Sequence, residues 1–238
     1  MRTVLFILIL TLAASAQSPL VDRAFNAGTT AARSGNFEQG LRHYKTALAF
    51  AESEATNVER IAQIHYNIGV CHYRIGMSSL AIPELKKAIA LRQGSYPEAL
   101  YALGMSEVEQ KNWPASRQAF LKALKADRSN GRIWFDLALV YLAEEDLENA
   151  EQALRRSIAN SAVDSALSHN NLGVLLAMKG EVAEAAKEFE LALLESGGRL
   201  MVAKGNLEFC NSLAYRPTRL TAGIHLKFAQ RDLPAFLG

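Results

Sequence analysis

Apolar residues recur along this chain in amphipathic blocks that come in pairs, and the pairs themselves repeat. HYNIGVCHYRIG at 65–76, LYALGMSEVEQK at 100–111, WFDLALVYLAEE at 134–145 and HNNLGVLLAMKG at 169–180 align at offsets of 35, 34 and 35. A fainter copy, AFNAGTTAARSG at 24–35, precedes them by 41, and KGNLEFCNSLA at 204–214 follows by 35. Each full copy leads into a second block: QGLRHYKTALAF, LAIPELKKAIAL, SRQAFLKALKA, NAEQALRRSIA and EAAKEFELALL. Within every block the apolar positions have helical spacing, which predicts two amphipathic helices joined by a short turn. One such pair leaves an apolar face uncovered, so the pairs must stack, and the chain is predicted to be all-α.

The units begin near residues 21, 62, 97, 131 and 166, and positions are counted from those starts. Positions 4, 7, 8 and 11 fall on one stripe of the first helix, and a small residue at position 8 lets the second helix approach closely. Gly35, Gly76 and Gly180 stand where the first helix must end, a place suited to a residue with easy access to positive φ. The first spacing exceeds the usual one by seven residues, nearly two helical turns. The polar, helix-compatible insert AESEATNVER predicts longer helices around 48–60 rather than a loop.

This pattern resembles the tetratricopeptide-repeat (TPR) family. Repeat four supplies Trp134, Leu137, Ala138, Tyr141, Leu147, Ala150 and Leu154; repeat five supplies Leu172, Gly173, Gly180, Ala185, Phe189 and Ala192. Repeat three has Leu103, Gly104, Trp113, Phe120 and Ala123; repeat one has Gly28, Gly35, Phe37, Tyr44 and Ala47; repeat two has Ile68, Gly69, Gly76, Ala81 and Ala88. Gly40 and Ser116 at position 20, and Leu85 and Leu154 at position 24, depart from the family pattern. The resemblance implies a right-handed superhelical solenoid of antiparallel helix pairs over 17–214. It would comprise five units and a capping helix at about 200–213, ended by Arg216-Pro217. A tail, 215–238, follows, with an alternating apolar stretch at Ile224, Leu226 and Phe228.

The resemblance also implies a site. In the family, positions 2, 5, 9, 12 and 13 line a concave face that holds a partner segment. Here that face would present Phe25, Tyr66, Val70, Tyr73, Tyr101, Met105, Phe135, Leu139, Asn170 and Val174, with Arg74 and Arg132 as anchors for an anionic group. Asparagine at position 6 often binds a peptide backbone in the family, and Asn67, Asn171 and Asn206 occupy it. An aromatic ladder beside an aliphatic one suits an apolar peptide or helix. The competing reading is that aromatic residues at position 5 pack between adjacent first helices.

The start, MRTVLFILILTLAASAQS, reads as a secretory signal peptide over 1–16, with Arg2, an apolar run from Val4 to Leu12, and small residues at Ala14 and Ala16. Its apolar run is short of the roughly 20 residues that span a bilayer. The expectation is therefore an exported chain, periplasmic or secreted, that is not an integral membrane protein after cleavage. Retention of the segment as an anchor is the alternative. Losing residues 1–16 removes Arg2 and leaves one net positive charge, which gives nucleic-acid binding no support.

Candidate chemistry is sparse. His65, His72 and His169 sit at positions 4 and 11, which other units fill with Trp134, Tyr141 and Leu176, so they read as core residues. A metal site built on His65 and His72 would need a third ligand, for which His43 is the one nearby candidate. Cys71 and Cys210 both occupy position 10, four units apart, too far for a disulfide within one solenoid. No nucleophile–base motif or phosphate loop is present. The sequence thus predicts a non-catalytic scaffold without metal or cofactor that binds a protein partner. The alternative is a self-associating module whose tail fills its own groove or a neighbour's.

Overall fold

The computed structural model describes residues 18–54, 56–160 and 165–214, and among them every regular element is an α-helix. Two compact units divide the chain, residues 1–95 and 96–238. Unit 1 contains α1 (Pro19–Arg33), α2 (Phe37–Ser53), α3 (Val58–Arg74) and α4 (Ser78–Leu91). Unit 2 contains α5 (Pro97–Glu109), α6 (Trp113–Ala126), α7 (Gly131–Ala143), α8 (Leu147–Asn160), α9 (Ser165–Met178), α10 (Val182–Glu195) and α11 (Met201–Ala214). The tail and the proposed signal segment lie outside the described residues.

The helices pack as the repeat predicts: α1 on α2, α3 on α4, α5 on α6, α7 on α8 and α9 on α10, and within unit 1 α2 also meets α3, while within unit 2 α6 meets α7, α8 meets α9 and α10 meets α11. Turns of three residues or so between partners enforce antiparallel packing. The inserted segment lengthens both helices that flank it, α2 as far as Ser53 and α3 from Val58, but it is not helical throughout, since Glu54, Thr56 and Asn57 lie in neither helix. Both α2 and α3 run for 17 residues, whereas α4, α6, α8 and α10 have 14 and α5 and α7 have 13.

Every first helix of a pair ends in the same way. The amide of position 16 donates to the carbonyl of position 11: Asn36 to Ala31, Met77 to His72, Asn112 to Glu107, Asp146 to Tyr141 and Glu181 to Leu176. This is the Schellman arrangement, and it demands a left-handed residue at position 15. Gly35, Gly76 and Gly180 meet that demand at φ of 82°, 77° and 87°. Lys111 and Glu145 meet it in the other two units at 55° and 60°, carrying side chains that disfavour it.

The core runs between helices along positions 8 and 24. In unit 2, Phe135, Ala138, Leu154, Leu172, Leu175 and Phe189 are buried in one apolar cluster, with Trp134, Tyr141 and Leu142 packed against it. Two departures from the family pattern still fill the core, since Leu85 and Leu154 occupy position 24 at zero exposure.

Candidate functional site

In unit 1 the predicted face is largely closed. Helix α3 is buried along Ile64–Tyr73, so Tyr66, Val70 and Tyr73, expected to look into a groove, are core-like in exposure at 9%, 0% and 3%. Asn67 is also buried and donates from Nδ2 to the Gln63 carbonyl, 2.8 Å away, one turn earlier on its own helix. Phe25 remains half-buried, with the Tyr44 ring edge-on at 5.4 Å and the Arg60 guanidinium 4.3 Å from its ring centroid. Arg60 is held by an ion pair to Asp22, and it hydrogen-bonds Gln63. Arg74, expected as an anionic anchor, lies over the Phe37 ring at 4.4 Å, a cation–π contact that holds its charge against the same unit.

Unit 2 is more open. Tyr101, Met105 and Arg132 are half-buried, as are Leu139 and, at position 12, Val108 and Leu142. Phe135, by contrast, is at 0% exposure inside the apolar cluster, and Val174 is at 1% in the same cluster. These two were expected on the open face and instead fill space between helices, as the competing reading of position 5 allowed for Phe135.

Polar groups at positions 5 and 6 join successive first helices here. The Tyr101 hydroxyl on α5 donates to Asp136 Oδ2 on α7 at 2.7 Å. On α9, Asn170 Nδ2 donates to Asn171 Oδ1 at 3.1 Å, and Asn206 Nδ2 on α11 donates to Asn170 Oδ1 at 2.9 Å. Asn170, Asn171 and Asn206 are buried, so each of these bonds satisfies groups that would be costly to leave unmet. Asn171 and Asn206, expected to bind a peptide backbone, thus take part in a network within the fold. The position-5 to position-6 pairing was not foreseen; the co-occurrence of Tyr101 with Asp136 and of Asn170 with Asn206, each about one repeat apart, is the signal that carries it.

The histidines tie helices together. His65 Nδ1 lies 2.6 Å from Glu84 Oε2, and His169 Nδ1 lies 2.6 Å from Glu188 Oε2, each pair linking position 4 to position 23 of its own unit. His169 Nε2 also lies 3.5 Å from Glu195 Oε1. His72 is buried, and its Nδ1 has no hydrogen-bond partner among the described residues. Burial, with Lys45 adding to it, lowers the His72 pKa against a smaller opposing effect of Glu84. Among the described residues no three His, Cys, Asp or Glu side chains are placed to hold a metal ion. Cys71 and Cys210 are free, buried thiols. Burial pushes the Cys71 thiol up to about 12, so it has almost no thiolate character near neutral pH. No helix among the described residues is long and apolar enough to cross a membrane.

Family models described as tetratricopeptide repeat match residues 20–94, 101–165 and 135–199. A Drosophila melanogaster protein described as a BBSome complex member BBS4 homolog is 27% identical over 124 residues, 52% of this chain and 25% of that protein, so the chain matches a quarter of that relative's length. The solved structure of MamA 41-end from Desulfovibrio magneticus RS-1 shares the fold at a TM-score of 0.69 and 19% identity, over 78% of this chain and 99% of that one. YrrB, described as a TPR protein with an unusual peptide-binding site, does so at 0.63 and 18%, over 78% and 90%. With tandem matches running from residue 20 to residue 199, the chain belongs to the tetratricopeptide-repeat family.

Proposed function

We propose that this chain is an exported, non-catalytic scaffold of the cell envelope that holds a peptide or helix of a partner protein on the first-helix face of unit 2. TPR proteins bind protein partners, and the half-buried stripe of Met105, Val108, Leu139 and Leu142 is the observation that carries the reading here. Those side chains sit at positions 9 and 12 of adjacent repeats, beside the Tyr101–Asp136 hydrogen bond. Apolar anchors flanked by fixed polar groups suit a partner segment that buries a few large side chains. The description of YrrB as having an unusual peptide-binding site supports a peptide as the ligand class. Export rests on the sequence MRTVLFILILTLAASAQ, whose cleavage would place a new amino terminus at Gln17.

The test is affinity purification from envelope extract with the wild-type chain and with Met105→Ser/Leu139→Ser. The expected result is a discrete partner that the variant loses while its helical circular dichroism is retained. Equal recovery by both chains would overturn the assignment of the face. N-terminal sequencing of the chain expressed in a host with a secretory envelope checks export, with Gln17 as the expected first residue.

A further inference from the structure

The second helices of unit 2, α6, α8 and α10, share one packing register and differ on the side they turn to solvent. Positions 26 and 29 are exposed in each, and they read Lys122 and Lys125 on α6, Arg156 and Ala159 on α8, and Leu191 and Leu194 on α10. Leu191 and Leu194 are one turn apart and so share a face of α10. Leu194 is 75% exposed, more than any other large apolar side chain among the described residues. An exposed apolar pair with nothing packed over it marks a place for contact.

Charge bears on the occupant. The exposed ionic side chains of α10 are Glu184, Glu190 and Glu195 against Lys187, a net charge of −2. Those of α6 and α8 are Lys122, Lys125, Arg155 and Arg156 against Glu148, a net charge of +3. Two of these groups are engaged within the fold, Arg155 by Glu151 and Glu195 by His169. Without them the signs are unchanged, −1 and +2. The acidic surround of Leu191 and Leu194 repels a second α10 across a two-fold axis and attracts a basic surface. On α6, the exposed Leu121 and the aliphatic stems of Lys122 and Lys125 set apolar area beside positive charge.

We infer that α10 of one chain docks through Leu191 and Leu194 on the α6–α8 face of a second copy. The two faces differ, so the contact is heterologous: every bound pair leaves one face of each kind uncovered, and assembly continues past the dimer. Helix α10 has 14 residues and is about 21 Å long, so one face of it covers far less than the roughly 800 Å² that a stable interface takes from each partner. The association is therefore weak, and salt weakens it further. The partner site proposed on the first helices is a separate surface, and neither reading depends on the other.

The experiment mixes two full-length variants. Leu191→Ser/Leu194→Ser removes the apolar side of the contact, and Lys122→Glu/Lys125→Glu/Arg156→Glu reverses the basic side. Sedimentation at low salt, from roughly 10 to 500 µM chain, reads the mass. Wild type is expected to exceed the dimer mass as concentration rises and to return toward the monomer when salt is raised tenfold. Each variant alone is expected to stay monomeric. Their equal mixture is expected to form dimers and nothing larger, because one intact face of each kind remains, and that outcome also shows both variants to be folded. A monomeric wild type throughout the range would overturn the inference. So would a dimer formed by either variant alone, or a mixture that stays monomeric while wild type associates. Vesicles of phosphatidylglycerol form a last arm: binding that the Lys122→Glu/Lys125→Glu/Arg156→Glu chain loses, with no self-association of wild type, would overturn the inference and give the basic face to an anionic surface.

Discussion

A Cβ atom built on Gly104 would lie 2.4 Å from the Phe120 ring. The two residues occupy positions 8 and 24 of one repeat, and the relationship recurs: Gly28 faces Tyr44 at 2.8 Å, Gly69 faces Leu85 at 2.7 Å and Gly173 faces Phe189 at 2.7 Å. Where position 24 is Leu154, position 8 is Ala138, and both side chains are buried without exposure. The helix pair therefore closes to a distance set by the combined bulk of these two side chains.

Gly104→Ala is expected to destabilise the chain by about 1–3 kcal/mol, because the Phe120 ring is enclosed and must shift to make room. Adding Phe120→Leu recreates the Ala138–Leu154 combination and is expected to recover part of that loss. Urea denaturation of the single and double variants gives the coupling directly. Additive effects would mean that the two residues do not set the separation.

Glu145→Gly is expected to stabilise the chain by about 1 kcal/mol, since it removes a side chain from a left-handed position that three of the other units fill with glycine. Lys111→Gly should behave alike at φ 55°. The same substitution at Lys122, an exposed position inside α6, should cost about 1 kcal/mol instead. Thermal melts of the three variants separate relief of backbone strain from a general effect of glycine.

Helices and their pairing were legible because position 8, position 24 and the Gly at position 15 each leave a mark in the residue types. The left-handed Lys111 and Glu145 were not legible, since neither residue type announces that conformation; only the repeat register places them there. The site was harder to read. Positions 5 and 9 were assigned to an open face by repeat number alone, yet Tyr66, Val70, Phe135 and Val174 are buried while Tyr101, Met105 and Leu139 are not. Exposure at these positions depends on what packs over each helix, and the repeat pattern is the same in both cases.

The buried bond from Asn206 to Asn170 predicts strong coupling between α11 and α9. Asn206→Ala should cost about 1–3 kcal/mol, because the Asn170 side-chain carbonyl would lose a buried donor at 0% exposure. Asn170→Ala and the double variant complete a cycle whose coupling energy is expected to lie above about 0.5 kcal/mol. A cycle that closes at zero would show that the two amides contribute independently.

His72 gives stability a pH dependence of defined sign. Its pKa in the folded chain is lowered, chiefly by burial and further by Lys45, with Glu84 partly opposing them. The unfolded chain, with histidine near 6.5, then binds more protons than the folded one between the two pKa values. The contribution is fully present above about 6.5 and is lost as pH falls through that value toward the folded pKa. His72→Leu, which places at position 11 the residue found there at Leu176, removes this group and leaves the rest of the chain unchanged. The wild-type midpoint in urea should therefore decline more steeply than the variant's between pH 7.5 and 5. Parallel profiles would mean that His72 takes up its proton equally well in the folded and unfolded chains.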